Sequence, residues 1–488
     1  MDLSFKDQWR LPAVVPSEVF TRTAEIAVEW LQSLDSRPIA ESATVHDLRS
    51  RLGGPLPRDP VDPLEVVEDL ARAAEPGLVG IPSGRYFGFV LGGGLPAAVA
   101  ADWLTSVWDQ APAMYACGPA AAVTEEVAGA WLRQLLGFPD DASFAFVPGS
   151  QMAHLTCLAA ARHHVLRAAG WDVEELGLNG APPIRVLTGA RRHASVDRAL
   201  RFLGIGKASL TLIPTDGSAR MRVPRLREEL AADDSPAIIC AQAGEINTGA
   251  FDDMDAIADV AAEARAWLHI DGAFGLWTAA SPALRHLVKG AGRADSWALD
   301  AHKWLNVPYD SGLAFCAHPQ AHRAAMSVSA DYLVQGGPGE PREPINWTPA
   351  FSRRARGFAV YAALRSLGQR GVAELVERTC AHARTFAEGL ADIPGCRILN
   401  EVVINQVLFR FEDDETTERV LRRVVDSGEA YMSGTSFDGR RAIRISVSNW
   451  QTDDGDVART LEAFRNAVGR QDTDGSADMG GTSASHRP

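Results

Sequence analysis

Several signals of function are scarce or missing in this 488-residue chain. Its six cysteines, Cys117, Cys157, Cys240, Cys316, Cys380 and Cys396, are scattered, with no CxxC pair and no Cys/His ligand spacing. A zinc site and a disulfide framework are therefore unsupported, no metal is expected, and buried thiols in a reducing compartment are. Cations are outnumbered, 48 Lys and Arg against 62 Asp and Glu, for a net charge of -14. That balance argues against a nucleic-acid or anionic-membrane surface, though it leaves room for a small basic site that takes a phosphate. Long apolar runs are missing too: LGGGLPAAVAADWL is broken by glycine, proline and charge before it reaches spanning length. The start, MDLSFKDQWRLP, has no apolar core like that of a signal peptide, so a cytoplasmic protein is expected.

What is present reads as a globular protein of two or three packed units, with 46% hydrophobic and 23% charged residues. Residues 1–78 read as an N-terminal helical segment. In SEVFTRTAEIAVEWLQSL, Ser17 serves as an N-cap, and Phe20, Ile26, Ala27, Trp30 and Leu31 recur at helical spacing. So small a core predicts an arm packed on something larger, a second subunit included. Over 79–345 short apolar runs (FAFVPG, IRVLTG, PAIICAQAG, WLHIDGAF, SGLAFCA) alternate with helical stretches, the pattern of an α/β unit with a large, mostly parallel sheet. Residues 346–470 mix helices with the strands QVLFRF and AIRISVS, a small α+β unit, and 471–488 read as a disordered tail.

Ligands of parallel sheets sit beyond the carboxyl ends of the strands, so the polar residues at those ends carry the argument. HIDGAFG ends a strand on Asp271, a carboxylate that needs a cation or a metal if desolvated, and that alone reads equally as a turn residue. DSWALDAHKWLNVPYDSG puts Lys303 between His302 and Trp304, apolar surroundings that favour a neutral, nucleophilic amine over a snorkelling surface lysine. FVPGSQMAHLTCLAAAR is a strand, a turn and a long helix, and backbone N–H groups at Gly149 and Ser150 suit a phosphate. TGARRHASVDRAL puts His193 at another strand-to-helix junction, where it either stacks on a flat ring or caps the helix.

Together these segments resemble the group II pyridoxal-phosphate-dependent amino-acid decarboxylases, a family of fold type I that includes the aromatic-L-amino-acid decarboxylases. The resemblance runs from about residue 80 to 460 and rests on HIDGAFG combined with DSWALDAHKWLN. It implies a seven-stranded sheet domain, pyridoxal 5'-phosphate held by Lys303 as a Schiff base, and Asp271 paired with the protonated pyridine nitrogen. It further implies Ala273 beneath the ring, His193 stacked above it, and Gly149, Ser150 and His302 on the phosphate. Arg444 in IRISVSNWQT matches the family arginine near the substrate, against the reading of a strand arginine in a surface ion pair. The resemblance also implies an amino-acid substrate and a homodimer, with 113–124 and FSRRARG as segments that reach the neighbouring site. Tyr86, Phe87, Phe89, Trp103 and Trp108 read either as an aromatic-friendly pocket or as core.

Three departures bear on the product. The phosphate turn reads Val147-Pro148-Gly149-Ser150-Gln151, and proline donates no N–H. Ile246 stands where aromatic amino-acid decarboxylases carry threonine, leaving Asn247 as the polar neighbour assigned to the cofactor. Alignment on INWTPAFSRRARG puts Pro344 where those enzymes have a mobile-loop tyrosine that protonates the carbanion, and GGPGEPREP holds no tyrosine. Decarboxylation of an L-amino acid leads. Decarboxylation-coupled oxidative deamination, β-elimination and transamination stand as rivals within the cofactor class, and a catalytically silent pyridoxal-binding protein stands outside it.

Overall fold

A computed structural model describes residues 17–327 and 341–469. The expected tail at 471–488 lies outside the described residues. The fold is mixed α/β, built on one large and one small sheet. Seven strands form the large one: β1 (Ser143–Val147), β2 (Arg185–Gly189), β3 (Leu210–Ile213), β4 (Ala237–Gln242), β5 (Trp267–Asp271), β6 (Ser296–Asp300) and β7 (Gly312–Cys316), in the order β1-β7-β6-β5-β4-β2-β3. β2 to β6 pair in parallel, while β7 runs antiparallel to both β6 and β1. β1, β4, β5, β6 and β7 are buried throughout, as strands covered by helices on both faces must be.

Alternation along β5 then sorts its residues. Leu268 and Ile270 enter the main core with Ile257 and Phe274, while Trp267 packs on the other face with Leu158 and Val165. His269 and Asp271 share the Trp267 face by the same alternation. Over that face lies the sixth α-helix of the chain. In chain order the first six are α1 (Ser17–Gln32), α2 (Val45–Leu52), α3 (Pro63–Ala74), α4 (Pro96–Trp108), α5 (Pro119–Leu136) and α6 (Ser150–Ala168). α6 buries Ala153, Ala159, Ala160 and Ala161, small side chains that let it lie close to the sheet.

α1, α2 and α3 contain no buried residue, and Phe20, Leu31, Val66 and Leu70 are exposed. Ser17 is the first helical residue rather than the expected cap; clear caps occur at Thr44, with Asp47 in a capping box, and at Asp62 ahead of Pro63. Cys117 is exposed, against the expectation of buried thiols, because it ends a short 3-10 turn at the surface; Cys157, Cys240, Cys316 and Cys380 are buried as expected.

The small sheet holds β8 (Arg397–Ile398), β9 (Gln406–Arg410), β10 (Ser433–Phe437) and β11 (Arg440–Ser446) in the antiparallel order β10-β11-β9-β8. Its core gathers Phe386, Phe409, Val424, Ile443 and Phe464. The helix Gly357–Ala391 breaks at Gly368 (φ 59°, ψ 179°), a left-handed φ that glycine adopts without strain. Ala359, Val360 and Cys380 pack in the large core, whereas Ala383, Phe386 and Leu390 pack in the small one. The two cores therefore part inside this helix, not at the expected residue 346.

FSRRARG meets, within the chain, the two residues that flank segment 113–124. Arg353, buried, donates to both Glu125 oxygens at 2.5 and 2.7 Å and to Pro112 O at 3.1 Å. Arg353→Ala would strand the Glu125 carboxylate inside the protein. We expect a loss of about 3–5 kcal/mol in urea unfolding, and only a small loss when Arg353→Met is combined with Glu125→Leu.

Candidate active site

Two adjacent parallel strands end in carboxylates, β5 in Asp271 and β6 in Asp300, and the turn after each is tied to the other. Ala273 N–H donates to Asp271 Oδ1 at 3.2 Å, and Asp300 N–H donates to Ala273 O at 3.0 Å. The β6–β7 turn then lifts Lys303 above the strand ends. Ala301 and His302 N–H donate to Ser311 O at 3.0 and 3.1 Å, and Ser311 N–H donates to His302 Nδ1 at 3.1 Å. Asn306, in the left-handed region (φ 57°), uses its whole amide: Oδ1 accepts from Gly93 and Trp450 N–H, and Nδ2 donates to Trp304 O and Ser448 O. Such a turn holds its lysine in one place. Lys303 Nζ lies 2.9 Å from Asp300 Oδ2 and 6.0 Å from the centroid of the Phe274 ring.

Gly149 and Ser150 lie across from this turn. Ser150 N–H donates to Asp300 Oδ1 at 2.5 Å, and its hydroxyl donates to Asp300 Oδ2. His302 Nε2 is 3.5 Å from Asp300 Oδ1, and Tyr309 stacks on the His302 ring at 4.2 Å. Asp300 thus collects Lys303, His302 and both Ser150 donors. Burial pushes its carboxyl pKa up, but Lys303, His302 and Ser150 outweigh burial and hold it below the ordinary carboxylate value. The Gln151 amide nitrogen, in the same helical turn, is buried without a partner.

Asp271 is also buried, and its one ion pair among the described residues is with His154 Nε2 at 3.5 Å. Burial acts to raise its pKa, while His154, His193 and Lys303 together hold it well below the carboxylate range. His193 caps the helix Ala194–Phe202, its Nδ1 accepting from Ser195 N–H at 3.2 Å. Capping leaves His193 exposed, so it does not exclude stacking. Burial lowers the pKa of this imidazole, against the opposing pull of Asp271, so it is neutral near neutral pH.

Lys303, Asp271, Ala273, His302, His193, Gly149 and Ser150 therefore surround one cleft. The other assigned residues have partners of their own. Asn247 is occupied: its Nδ2 reaches Glu245 Oε1 at 3.2 Å, and its Oδ1 accepts from Thr435 at 2.9 Å. Arg444 is buried rather than on a surface strand, donating to Ile246 O at 3.2 Å, with its Nε unpartnered and its pKa pushed by burial down to about 10. Tyr86 is buried and stacks on Tyr431 at 5.0 Å, whereas Phe89, Trp103 and Trp108 are exposed.

Sequence reasoning missed Asp300, His154 and His269. The first stands three residues before Lys303, and the other two are histidines in runs otherwise apolar, His269 two positions before Asp271 on the same face. Pro344 is buried in a 3-10 turn. Of the loop considered with it, GGPGEPREP at 336–344, residues 336–340 lie outside the described residues. In the sequence Tyr332 stands four residues ahead of that loop.

An amine, a buried carboxylate, an exposed imidazole and an unpartnered Gln151 amide at a helix start fit a flat, nitrogen-protonated aldehyde that carries a phosphate. Comparison with known proteins agrees. A profile described as the pyridoxal-dependent decarboxylase conserved domain matches residues 46–412. An aromatic-L-amino-acid decarboxylase of Bacillus atrophaeus is 27% identical over 447 residues, covering 88% of this chain and 91% of that protein. Tryptophan decarboxylase 1 of Oryza sativa subsp. japonica is 25% identical over 478 residues, covering 91% and 92%. The crystal structure of Oryza sativa TDC with PLP and tryptamine superposes with a TM-score of 0.88 at 23% identity, covering 94% of this chain and 99% of that one.

Close packing behind the Gly149 turn gives a test of this geometry. A Cβ on Gly312 would stand 2.4 Å from Gly149 Cα, against backbone that cannot yield, whereas one on Gly149 would meet His302 at 3.2 Å. Overpacking of this kind costs about 1–3 kcal/mol, and each 1.4 kcal/mol is tenfold in affinity. Gly312→Ala should weaken pyridoxal phosphate binding about tenfold, measured by equilibrium dialysis, and more than Gly149→Ala does.

Proposed function

The chain belongs to the pyridoxal-dependent decarboxylase family, and on that premise we propose that it decarboxylates an aromatic amino acid on pyridoxal 5'-phosphate carried by Lys303. Decarboxylation of an amino acid with this cofactor is the activity of the family; the aromatic class and the role of each residue are our reading. One observation carries that reading: Lys303 and the uncompensated Asp271 face one cleft from the ends of neighbouring strands.

When bound, pyridoxal phosphate supplies the electron sink for the pair released as the bond between Cα and the carboxylate breaks. Asp271, kept ionised, accepts the ring N–H and keeps the ring cationic. His193 offers a flat face above the ring and excludes water, while Ala273 packs below it. Ser150, with Gly149, His302 and the spare Gln151 amide, holds the phosphate. Lys303, once its amine is free, moves a proton to or from the substrate, with Asp300 Oδ2 at 2.9 Å to take up its charge.

Arg444 is assigned to an anionic group of the substrate, since a buried guanidinium with an unpartnered Nε is built to receive one. Tyr86, stacked on Tyr431, supports an aromatic preference, as do the names of the relatives. Asn247 is kept only as a support for the Glu245 turn.

The working unit is proposed to be a cytoplasmic homodimer. The unburied helices α1 to α3 and the exposed Trp103, Leu104, Val107 and Trp108 of α4 support a second copy, since apolar surface of this extent is seldom left to water. No helix among the described residues is long and apolar enough to cross a membrane. A division into 1–78, 79–345 and 346–470 serves as a working description, with the helix Gly357–Ala391 shared between the last two.

Purified protein incubated with a panel of L-amino acids should release CO2 and the matching amine fastest from tryptophan, tyrosine or phenylalanine. Aldehyde with ammonia, or an α-keto acid, as the main product would overturn this reading. Lys303→Ala should abolish the visible absorbance of the bound cofactor together with turnover; a visible band that survives refutes the anchor.

A further inference from the structure

Behind Asp271, four buried side chains run in a line away from the cleft. His154 Nε2 faces Asp271 Oδ2 at 3.5 Å, a few tenths of an ångström beyond a full hydrogen bond, and it has no other partner. His154 Nδ1 meets His269 Nε2 at 2.9 Å. His269 Nδ1 meets Ser296 Oγ at 2.9 Å, and Trp267 Nε1–H donates to the same oxygen at 2.9 Å. Secondary structure sets this spacing. Trp267, His269 and Asp271 alternate onto one face of β5, Ser296 pairs with His269 across the register, and α6 lays His154 over that face.

With both rings neutral, proton bookkeeping allows one direction. An ionised carboxylate only accepts, so His154 then carries its hydrogen on Nε2 and accepts at Nδ1. His269 then donates from Nε2 and accepts at Nδ1, which requires the hydroxyl hydrogen of Ser296. Ser296 accepts from Trp267, whose indole is a donor and nothing else. In that arrangement every dipole points its positive end at Asp271. Burial holds the His269 pKa at about 3, which keeps that ring uncharged near neutral pH.

We propose that His154, backed by His269, Ser296 and Trp267, is a positioning residue that holds the Asp271 carboxylate ionised and fixed from behind. This rests on the reading that Asp271 meets the ring nitrogen of the cofactor. The other titratable groups facing Asp271 are His193 from the β2 end, Lys303 from the β6–β7 turn and Cys240 from β4. His193 and Lys303 lie on the cleft side, where the cofactor occupies them. Cys240, buried with its thiol pKa pushed up by burial, stays neutral. On the inner side, His154 is the group that aims a donor at the carboxylate.

The test compares holoenzyme variants by the rate of cofactor loss on dilution and by the visible spectrum across acid to neutral pH. His154→Leu removes the donor. Asp271 would then take up a proton at a higher pH than in the parent, so the variant should release cofactor roughly tenfold faster, the loss growing as pH falls. His154→Gln, whose amide nitrogen reaches the place of Nε2, should restore most of the retention and flatten the pH profile. Asp271→Asn should release cofactor fast at every pH.

If Asp271→Asn keeps its cofactor, the underlying reading fails. If it loses the cofactor while His154→Leu matches the parent at every pH, the present inference fails. A His154→Gln variant as pH-dependent as His154→Leu would also sink it. One measurement needs no variant to fold: nitrogen-15 shifts of labelled histidine in the parent should show His154 and His269 neutral with the hydrogen on Nε2. A hydrogen on Nδ1 at either residue overturns the proposal.

Discussion

A carboxylate inside a protein must be compensated or it will be protonated, and this cleft is organised around two of them on neighbouring strands. Asp300 is compensated fully, by Lys303, His302 and both Ser150 donors. Asp271 is compensated only by neutral or distant groups. That difference makes the site asymmetric. One carboxylate is already engaged with the amine, while the other retains an unsatisfied demand for a cation, the demand a protonated ring nitrogen meets. Both positions follow from parallel pairing: Asp271 ends β5 opposite Ala298, and β6 runs two residues further in the same direction to end on Asp300.

The antiparallel return of β7 matters as much. It brings Gly312 so close to Gly149 that a Cβ on Gly312 would stand 2.4 Å from Gly149 Cα. It also folds Ser311 back onto His302, leaving a turn short enough to set Lys303 over the strand ends. Rigidity is then supplied by Asn306, whose amide ties the turn to Gly93 and to the Ser448–Trp450 segment of the small unit. A lysine presented this way loses little further freedom when it bonds a cofactor.

Much of this could be read from the sequence because it depends on local pattern. Apolar runs such as WLHID, ended by glycine, declare buried strands, and the polar residue at the end of each falls in the cleft of a parallel sheet. Lys303, Asp271 and the Gly149–Ser150 turn were singled out by that rule, and Ala273 by the family resemblance alone. Asp300 was passed over because the eye goes to the lysine three residues later, although a carboxylate there is needed to stabilise an ammonium. His154 and His269 were hidden by their surroundings, since a histidine in an apolar run looks like core until the register sets it beside another. Asn247 was assigned for want of a threonine at Ile246; its partners Glu245 and Thr435 lie on a nearby turn and on a strand far along the chain. The fate of a position such as Arg444, buried with its Nε unpartnered, depends on contacts far apart in the chain, which neither periodicity nor motif encodes.

That last point separates anchoring the cofactor from choosing the substrate. Residues assigned to pyridoxal phosphate stand on the large sheet and its turns, which one continuous packed core holds in place. Residues assigned to the substrate stand where the two cores meet. Arg444 projects from β11, Tyr86 stacks on Tyr431, and the segment around Phe87 hydrogen-bonds to both Tyr431 and Ser446. Phe87 itself packs in the small core while its neighbours Gly92 and Leu95 bond the Lys303 turn. A shift of the small unit would therefore reshape the substrate side without moving Asp271 or Ser150. In this chain the residues assigned to the cofactor lie on the packed frame, and those assigned to the substrate lie at the junction of two cores.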